Sequence, residues 1–165
     1  MDKKKKTILV SACLLGARVN YCGGHNEHLA VRLLREKAVL IPVCPEQLGG
    51  LATPRPAAEI KGGTGKDVWS GSAKVLTVTG EDRTEAFKRG AREVWLLAEV
   101  LGAEAALLKA RSPSCGHGEI YDGTFRGVKI DGDGITAAFL LGQNLPVFSE
   151  DELALCEKWL STGES

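Results

Sequence analysis

The stretch "EDRTEAFKRGAREVWLLAEVLGAEAALLKA", residues 81–110, decides the fold because it joins the clearest helix signal of the chain to an apolar strand candidate. The helix predicted over 81–102 has an apolar stripe with steps of four, three, four and three residues, formed by Phe87, Ala91, Val94, Ala98 and Leu101. Asp82 and Glu85 are suited to a capping box at its start, and Gly102 to its end. Residues 103–110 follow as a strand candidate, although their alanines would also allow a helix.

Further strands and helices alternate on both sides of this stretch. Short β-rich or apolar runs predict strands at 7–12, 38–43, 73–80 and 145–149. Helices are predicted from near Asn26, with Leu29, Leu33 and Leu34 on one face, over 133–144, and from about Glu150 onward. In the last helix, Cys156 shares one apolar face with Leu153 and Leu160, which favours a place in the core.

Two segments are read from their turn residues. Asp122-Gly123, between β-prone flanks, indicates a β-hairpin near 119–128. The prolines and glycine pairs of residues 44–67 indicate a long loop, which in a compact domain is usually functional or disordered. The alternation of strands and helices predicts a single α/β domain over 1–165. Its expected architecture is three-layered and Rossmann-like, with a mainly parallel sheet and helices on both faces.

Composition narrows the classes of function. The 21 basic and 21 acidic residues give a formal net charge of zero. Because the chain has no excess of basic residues, we do not expect a nucleic-acid polymer as partner. We expect the charged start, residues 1–6, to be a flexible basic terminus. No apolar stretch is long enough for a membrane span, and residues 7–20 fit a core strand better than a signal peptide. Five cysteines without framework spacing are typical of reduced thiols in the cytoplasm.

Three of the cysteines follow predicted strands. Cys13 comes after the strand at 7–12, Cys44 after that at 38–43, and Cys115 in the turn after 103–110. In an open parallel sheet the carboxyl ends of the strands share one edge, and ligands bind in the crevice outside it. The three thiols are therefore expected to meet at one site. The competing interpretation is three buried thiols that happen to end strands.

Three thiolates suit either of two metal groups. Zinc would need a fourth ligand, such as His25, His117 or water. A 4Fe–4S cluster normally takes four cysteines, so three would leave one iron open to a substrate atom. A separate Cys-x-x-His-x-x-His run, formed by Cys22, His25 and His28, could contribute zinc ligands, but no second Cys-x-x-Cys pair supports it.

The motifs resemble those of a bacterial family, long filed as a domain of unknown function, that includes the thiouracil desulfidases. The resemblance runs from about Leu9 to Glu150 and rests on "VSACLLG", "VCPEQLGGLATPRPAAEI", "SPSCG", "YDGTF" and "GDGITAAFLLGQNLPVFSE". It implies a small Rossmann-like protein with a 4Fe–4S cluster whose open iron takes the sulfur of a thiolated nucleobase. The implied cluster ligands are Cys13, Cys44 and Cys115.

The same resemblance implies that Glu46 and Ser112 are the acid–base and positioning groups. Glu46 would activate water, although it could instead cap a turn or pair with Arg55. Ser112 would orient the ring or relay a proton, or simply form a turn before proline. Substrate contacts are expected from Arg55, Ser114 and His117. Arg55, between two prolines, is also suited to pair with Glu59. His117 could instead support a neighbouring group or be an exposed loop residue.

The leading hypothesis is a non-redox, hydrolytic enzyme that releases hydrogen sulfide from a small thiolated compound such as thiouracil. Protein prepared in air can lack the cluster, because an exposed iron is easily oxidised. The alternatives are a non-catalytic cluster carrier or redox sensor that uses the same thiols, and a zinc hydrolase that uses Cys22, His25 and His28. The oligomeric state does not follow from the sequence.

Overall fold

The computed structural model describes residues 4–162 of the chain. The strands within this range are β1 (Lys6–Ser11), β2 (Ala38–Val43), β3 (Ala58–Lys61), β4 (Lys74–Thr77), β5 (Ala105–Leu108), β6 (Glu119–Tyr121), β7 (Lys129–Asp131) and β8 (Val147–Ser149). The α-helices are α1 (Leu29–Leu33), α2 (Pro45–Leu48), α3 (Gly65–Ser70), α4 (Thr84–Leu101), α5 (Ile135–Gly142) and α6 (Leu153–Thr162). None of these helices combines the length and the apolar character that a membrane crossing requires.

The main sheet has four parallel strands in the order β2-β1-β5-β8. Its two central strands are wholly buried over Ile8–Val10 and Ala105–Leu108, as expected for strands covered on both faces. The register places Ser11 beside Val43, so β1 and β2 end at the same level. The carboxyl ends of the strands therefore form one continuous edge.

Helices cover both faces of this sheet. One face packs against α1, the 3₁₀ turn that follows it, and α6, through Val31, Leu34, Cys156 and Trp159. The other packs against α4 and α5 through a second set of buried apolar side chains, which includes Val94, Ala98, Ala137 and Leu140. The predicted three-layer α/β architecture with a mainly parallel sheet is confirmed, and Cys156 lies in the core as predicted.

Two small antiparallel sheets lie outside the main one. The predicted strand at 73–80 is shorter, Lys74–Thr77, and pairs with β3 rather than with the parallel strands. β3 and α2 fall within residues 44–67 and α3 begins there at Gly65, so the prediction of one long loop over these residues was wrong. These elements are stable despite their shortness because Ile60, Val68 and Val75 are buried in a third apolar cluster with Phe87 of α4.

The hairpin exists but is longer than predicted. β6 pairs with β7, which begins only at Lys129, beyond the expected end at 128. Asp122-Gly123 does not form a two-residue turn. Instead Asp122 Oδ1 accepts hydrogen bonds from the backbone N and the hydroxyl of Thr124 and opens a loop over residues 122–128.

The first helix differs more. A helix from near Asn26 was predicted, whereas α1 begins after His28, whose Nδ1 accepts a hydrogen bond from Val31 N. Leu29 and Leu33 are 70% and 55% exposed, whereas Leu34 of the predicted face is buried and Val31 joins it in the core. The predicted face was therefore right for Leu34 and wrong for Leu29 and Leu33, because the α-helix lasts one turn and then tightens into a 3₁₀ turn over Leu34–Glu36, which changes the angular spacing of the side chains.

The long helix α4 follows its prediction except at its ends. Gly102 ends it in the left-handed conformation, φ 65°. No capping box forms, because Asp82 accepts a hydrogen bond from Thr84 N and Glu85 instead lies beside Lys88. The buried stripe stops at Ala98, since Leu101 is half-exposed.

The flexible basic terminus predicted for residues 1–6 lies in part outside the described residues, which begin at Lys4. Within them, Lys6 already belongs to β1, and its ammonium lies 4.0 Å from the centre of the Trp159 ring. Lys5 donates a hydrogen bond to the carbonyl of Arg35. These two lysines are therefore held against the fold.

Candidate active site

The candidate site is a cavity of about 440 Å³ at the carboxyl edge of the main sheet. The connection from β1 to β2 passes through α1 on one face, and that from β2 to β5 passes through α4 on the other. The strand order thus reverses at β1, and the crevice beside it is where open α/β sheets bind ligands.

The structure brings Cys13, Cys44 and Cys115 to this one cavity. Cys13 lies in a 3₁₀ turn directly after β1, and Cys44 is the residue between β2 and α2. Cys115 lies in the turn that follows β5 and is almost fully buried. Three thiols from distant parts of the sequence therefore share a site because their strands are neighbours in the sheet.

The electrostatics of these thiols suit a cationic group. Burial raises the pKa of the Cys115 thiol, and the nearby Cys13, Cys44 and Glu46 raise it further by like-charge repulsion. Burial also raises the pKa of Cys13, against a hydrogen bond with Asn26 that lowers it. Positive charge shared by the three sulfur atoms would offset both effects.

The donor set fits an iron–sulfur cluster better than a single ion. Within residues 4–162, no three His, Cys, Asp or Glu side chains are grouped closely enough to hold one metal ion. A 4Fe–4S cluster would be held by cysteine thiolates. The cavity offers three such soft sulfur donors, Cys13, Cys44 and Cys115.

Two serines fix the turn that carries Cys115. Ser112 Oγ accepts hydrogen bonds from the backbone N of Ser114 at 3.2 Å and of Cys115 at 3.1 Å. Ser11, at the end of β1, is buried and donates to Cys115 Sγ at 3.6 Å while accepting from Lys109 N at 2.8 Å. Ser112 thus fixes the backbone of the turn, and Ser11 holds the sulfur of Cys115 from the end of β1.

Glu46 is paired with Arg55 across the cavity wall. Arg55 Nη2 lies 2.9 Å from Glu46 Oε2, and the side chains of Arg55 and Glu46 are 6% and 18% exposed. Arg55 also donates to the carbonyl of Val19 at 3.0 Å and to Thr53 Oγ1 at 2.9 Å. Of the two pairings considered from the sequence, Arg55 with Glu46 is the one present. Glu59 instead accepts a hydrogen bond from Phe125 N at 3.0 Å.

Helix α2, which carries Glu46, is pressed against α4. A Cβ on Gly90 of α4 would lie 1.9 Å from the carbonyl oxygen of Pro45, far inside contact distance. The neighbouring Arg89 donates from Nε to the carbonyl of Gly49 at 3.0 Å. Glycine at 90 therefore lets the backbone of α2 approach closely, and this contact sets the position of Cys44 and Glu46.

Ser114 and His117 are not among the residues that line the cavity. Ser114 is buried, and its hydroxyl lies 2.7 Å from that of Thr136 at the start of α5. His117 Nδ1 lies 2.8 Å from Asp133 Oδ1, which raises the pKa of the imidazole and lowers that of the carboxyl. Both side chains bind the Cys115 turn to the segment that enters α5.

Several lining residues escaped the sequence reasoning. Lys109 lines the cavity and pairs with Glu150 at 2.7 Å. It follows β5 directly, so the strand-end argument that selected the cysteines could have found it. Asn26, Glu59, Tyr121 and Phe125 also line the cavity, but they reach it only through packing of loops and small sheets.

The alternative zinc site finds no support in the geometry. Cys22 is exposed and donates to Asn20 Oδ1 at 3.2 Å. His25 Nδ1 accepts from Glu27 N, and His28 Nδ1 caps α1, so each imidazole is engaged by local backbone. The three side chains do not converge on a common point that could hold a metal ion, and no other set of His, Cys, Asp and Glu side chains within the described range does so either.

Three comparisons with known proteins each match most of the chain. The model of a family described as 2-thiouracil desulfurase matches residues 8–152. The uncharacterized protein YbbK of Bacillus subtilis (strain 168) is 49% identical over 146 residues, which cover 88% of this chain and 97% of YbbK. The solved structure of the 4Fe–4S-dependent thiouracil desulfidase TudS (DUF523Vcz) is 42% identical, with a TM-score of 0.83, and the match covers 95% of this chain and 99% of the TudS chain. The resemblance inferred from the motifs is confirmed.

Proposed function

The chain belongs to the 2-thiouracil desulfurase family, and we propose that it is an enzyme that removes sulfur from a small thiolated compound such as thiouracil. The observation that carries the proposal is the meeting of Cys13, Cys44 and Cys115 at one cavity of the sheet edge. The likeness to a 4Fe–4S-dependent thiouracil desulfidase supports it. The free cysteines support a location in the reducing cytoplasm as part of this proposal.

In this proposal the three cysteines hold a 4Fe–4S cluster. When bound, the cluster supplies an iron with an open coordination position, a soft Lewis acid suited to the sulfur of a thiocarbonyl group. Ser11 stabilises the thiolate of Cys115 by its hydrogen bond, and Asn26 that of Cys13. Lys109 adds a positive charge near Cys13.

Glu46 is the proposed general base. Its Oε2 is held by Arg55, whereas Oε1 accepts no hydrogen bond from residues 4–162 and is free to bind a water molecule. Removal of a proton lets that water attack the thiocarbonyl carbon, so a carbon–oxygen bond forms and the carbon–sulfur bond breaks. The sulfur leaves as hydrogen sulfide, and carbon, sulfur and iron keep their oxidation states.

Ser112 is not expected to act as a proton relay, which would have to accept as well as donate a proton. Its oxygen already accepts two backbone hydrogen bonds, so the hydroxyl that lines the cavity can only donate. We assign it the positioning of Cys115 and a hydrogen bond to the substrate ring. Arg55 orients Glu46, and Ser114 and His117 hold the turn behind the cavity rather than the substrate.

The experiment is anaerobic reconstitution with iron and sulfide followed by incubation with 2-thiouracil. We expect sulfide and uracil in equal amounts without an added oxidant or reductant. A protein that takes up the cluster and releases no sulfide would instead be a cluster carrier or redox sensor. Zinc near one per chain without iron would favour the zinc hydrolase.

Replacing Glu46 tests its role. Glu46→Gln keeps the hydrogen bond to Arg55 but removes the base, so we expect turnover to fall by roughly a hundredfold or more at unchanged iron content. Glu119→Gln is the matched control, because that exposed carboxylate pairs with Lys129 outside the cavity. Sulfide release and visible absorption are measured on the same samples. Equal rates in the two variants would remove Glu46 from catalysis.

A further inference from the structure

The loop that joins β6 to β7 places an aromatic residue at the cavity, and the backbone of this residue has an unusual conformation. Phe125 lines the cavity and has φ of 57°, in the left-handed region that bulky residues rarely adopt. Strain of this kind persists where the surrounding structure enforces it, and it is concentrated at functional sites. Two things therefore need explaining: which contacts enforce this conformation, and what function it serves at the cavity.

The cause is a set of contacts that dock the loop on β3. Glu59 Oε2 accepts a hydrogen bond from Phe125 N at 3.0 Å, and Asp122 organises the turn through Thr124. Gly123, with φ of 88°, approaches so closely that a Cβ there would lie 2.5 Å from the carbonyl oxygen of Ile60. The loop is thus fixed to the sheet rather than free to swing.

Core packing does not account for the position of the ring. Phe125 belongs to none of the three apolar clusters formed by the described residues, whereas Ile120 and Ile130 of the same hairpin belong to the third. The fold therefore keeps Phe125, with its strained backbone, at the cavity without packing its ring into the core. An apolar face kept at a cavity wall is suited to contact a ligand.

We propose that Phe125 is a specificity-determining residue whose ring stacks on the flat heteroaromatic ring of the substrate. This inference rests on the proposed function and narrows it to planar thiolated rings. Stacking on an aromatic side chain accepts any flat base, so it selects ring shape while the sulfur and the polar groups of the cavity select the reacting position. Glu59 is a positioning residue here, since it acts through the backbone of Phe125.

Two substitutions at the same position separate the ring from its bulk. Phe125→Leu keeps an apolar side chain and removes the aromatic face, and Phe125→Tyr keeps the face. We expect KM for 2-thiouracil to rise roughly tenfold in Phe125→Leu and less than twofold in Phe125→Tyr, at unchanged kcat and iron content. Val128→Ala is the loop control, because Val128 is exposed and does not line the cavity.

A binding measurement that needs no turnover accompanies the kinetics. Uracil offers the same ring without the sulfur, and its Kd for the reconstituted protein is measured by equilibrium dialysis. We expect the Kd to rise with KM, roughly tenfold, in Phe125→Leu alone. Equal Kd values in wild type and Phe125→Leu, an equal loss in Phe125→Tyr or Val128→Ala, or no uracil binding by the wild type would each overturn the inference.

The two proposals fail in different ways. Uracil binding that depends on Phe125, without sulfide release from 2-thiouracil, would retain the ring contact and remove the desulfidase activity. Sulfide release at the same KM in wild type and Phe125→Leu would retain the activity and remove the ring contact.

Discussion

Two carboxylates line the same cavity, and their partners give them different tasks. Glu46 is oriented by the nearly buried guanidinium of Arg55, and its Oε1 accepts no hydrogen bond from residues 4–162. Glu59 is engaged by the backbone of Phe125, so it holds a loop in place. The role of each carboxylate thus follows from its hydrogen-bond partners and not from its residue type alone. The same holds for Ser112, whose hydroxyl accepts two backbone hydrogen bonds and can therefore only donate to a ligand.

A residue outside the cavity gives a testable pH dependence. The hydrogen bond to Asp133, with Glu152 nearby, raises the pKa of His117 above its ordinary value of 6.5. A raised pKa in the folded state stabilises the protein fully below 6.5 and ceases to do so as pH rises through the folded value. Asp133, whose pKa is lowered, stays ionised throughout that window.

We therefore expect the cluster-free protein to lose unfolding free energy as pH increases from 6.5 through the raised pKa of His117. His117→Gln should lose most of this dependence, because glutamine carries no titrating proton. Urea unfolding at a series of pH values measures both proteins. Parallel stability curves for wild type and His117→Gln would show that the ion pair with Asp133 does not contribute.

At the scale of elements, the short helix α2 depends on the glycine it touches. Gly90→Ala would drive a methyl group into the carbonyl of Pro45, so α2 must move and carry Cys44 and Glu46 with it. We expect a loss of about 1–3 kcal/mol in unfolding free energy and weaker iron uptake. Thermal unfolding and iron content measure the two effects.

The matched control for that substitution is Gly142→Ala. Gly142 ends α5, and a Cβ there would meet nothing within 4 Å. Alanine should be neutral or stabilise by up to about 1 kcal/mol through its lower conformational entropy in the unfolded chain. Equal behaviour of the two variants would mean that the contact between α2 and α4 does not position the site.

The elements differ in how far the sequence predicts them. β1 and β5 are buried on both faces, so they appear in the sequence as apolar runs. β2 is an edge strand with Val39 half-exposed, but its sequence is equally apolar. α4 is long enough to show its periodicity. α1 lasts five residues, too few for an apolar period to fix its face. β3 is stabilised by a tertiary contact with β4 and α4, which proline and glycine content conceals.

At the scale of the whole molecule, the topology creates the site. Because β1, β2 and β5 are adjacent and parallel, the residues that follow them meet, and strand-end reasoning alone placed the three cysteines together. Glu46 and Ser112 came only from the resemblance to the family. Phe125 and Glu59 could not be predicted, since their place at the cavity depends on how two small antiparallel sheets pack beside the main one.

The most direct test of the account is the iron and acid-labile sulfide content of the protein after anaerobic reconstitution. We expect roughly four of each per chain in the wild type, in Cys22→Ala and in Cys156→Ala, whose sulfurs lie outside the cavity. Cys13→Ala, Cys44→Ala and Cys115→Ala should each fall far below that content. A wild-type protein that stays colourless and takes up no iron, or a loss in the two control variants as large as in these three, would contradict the account.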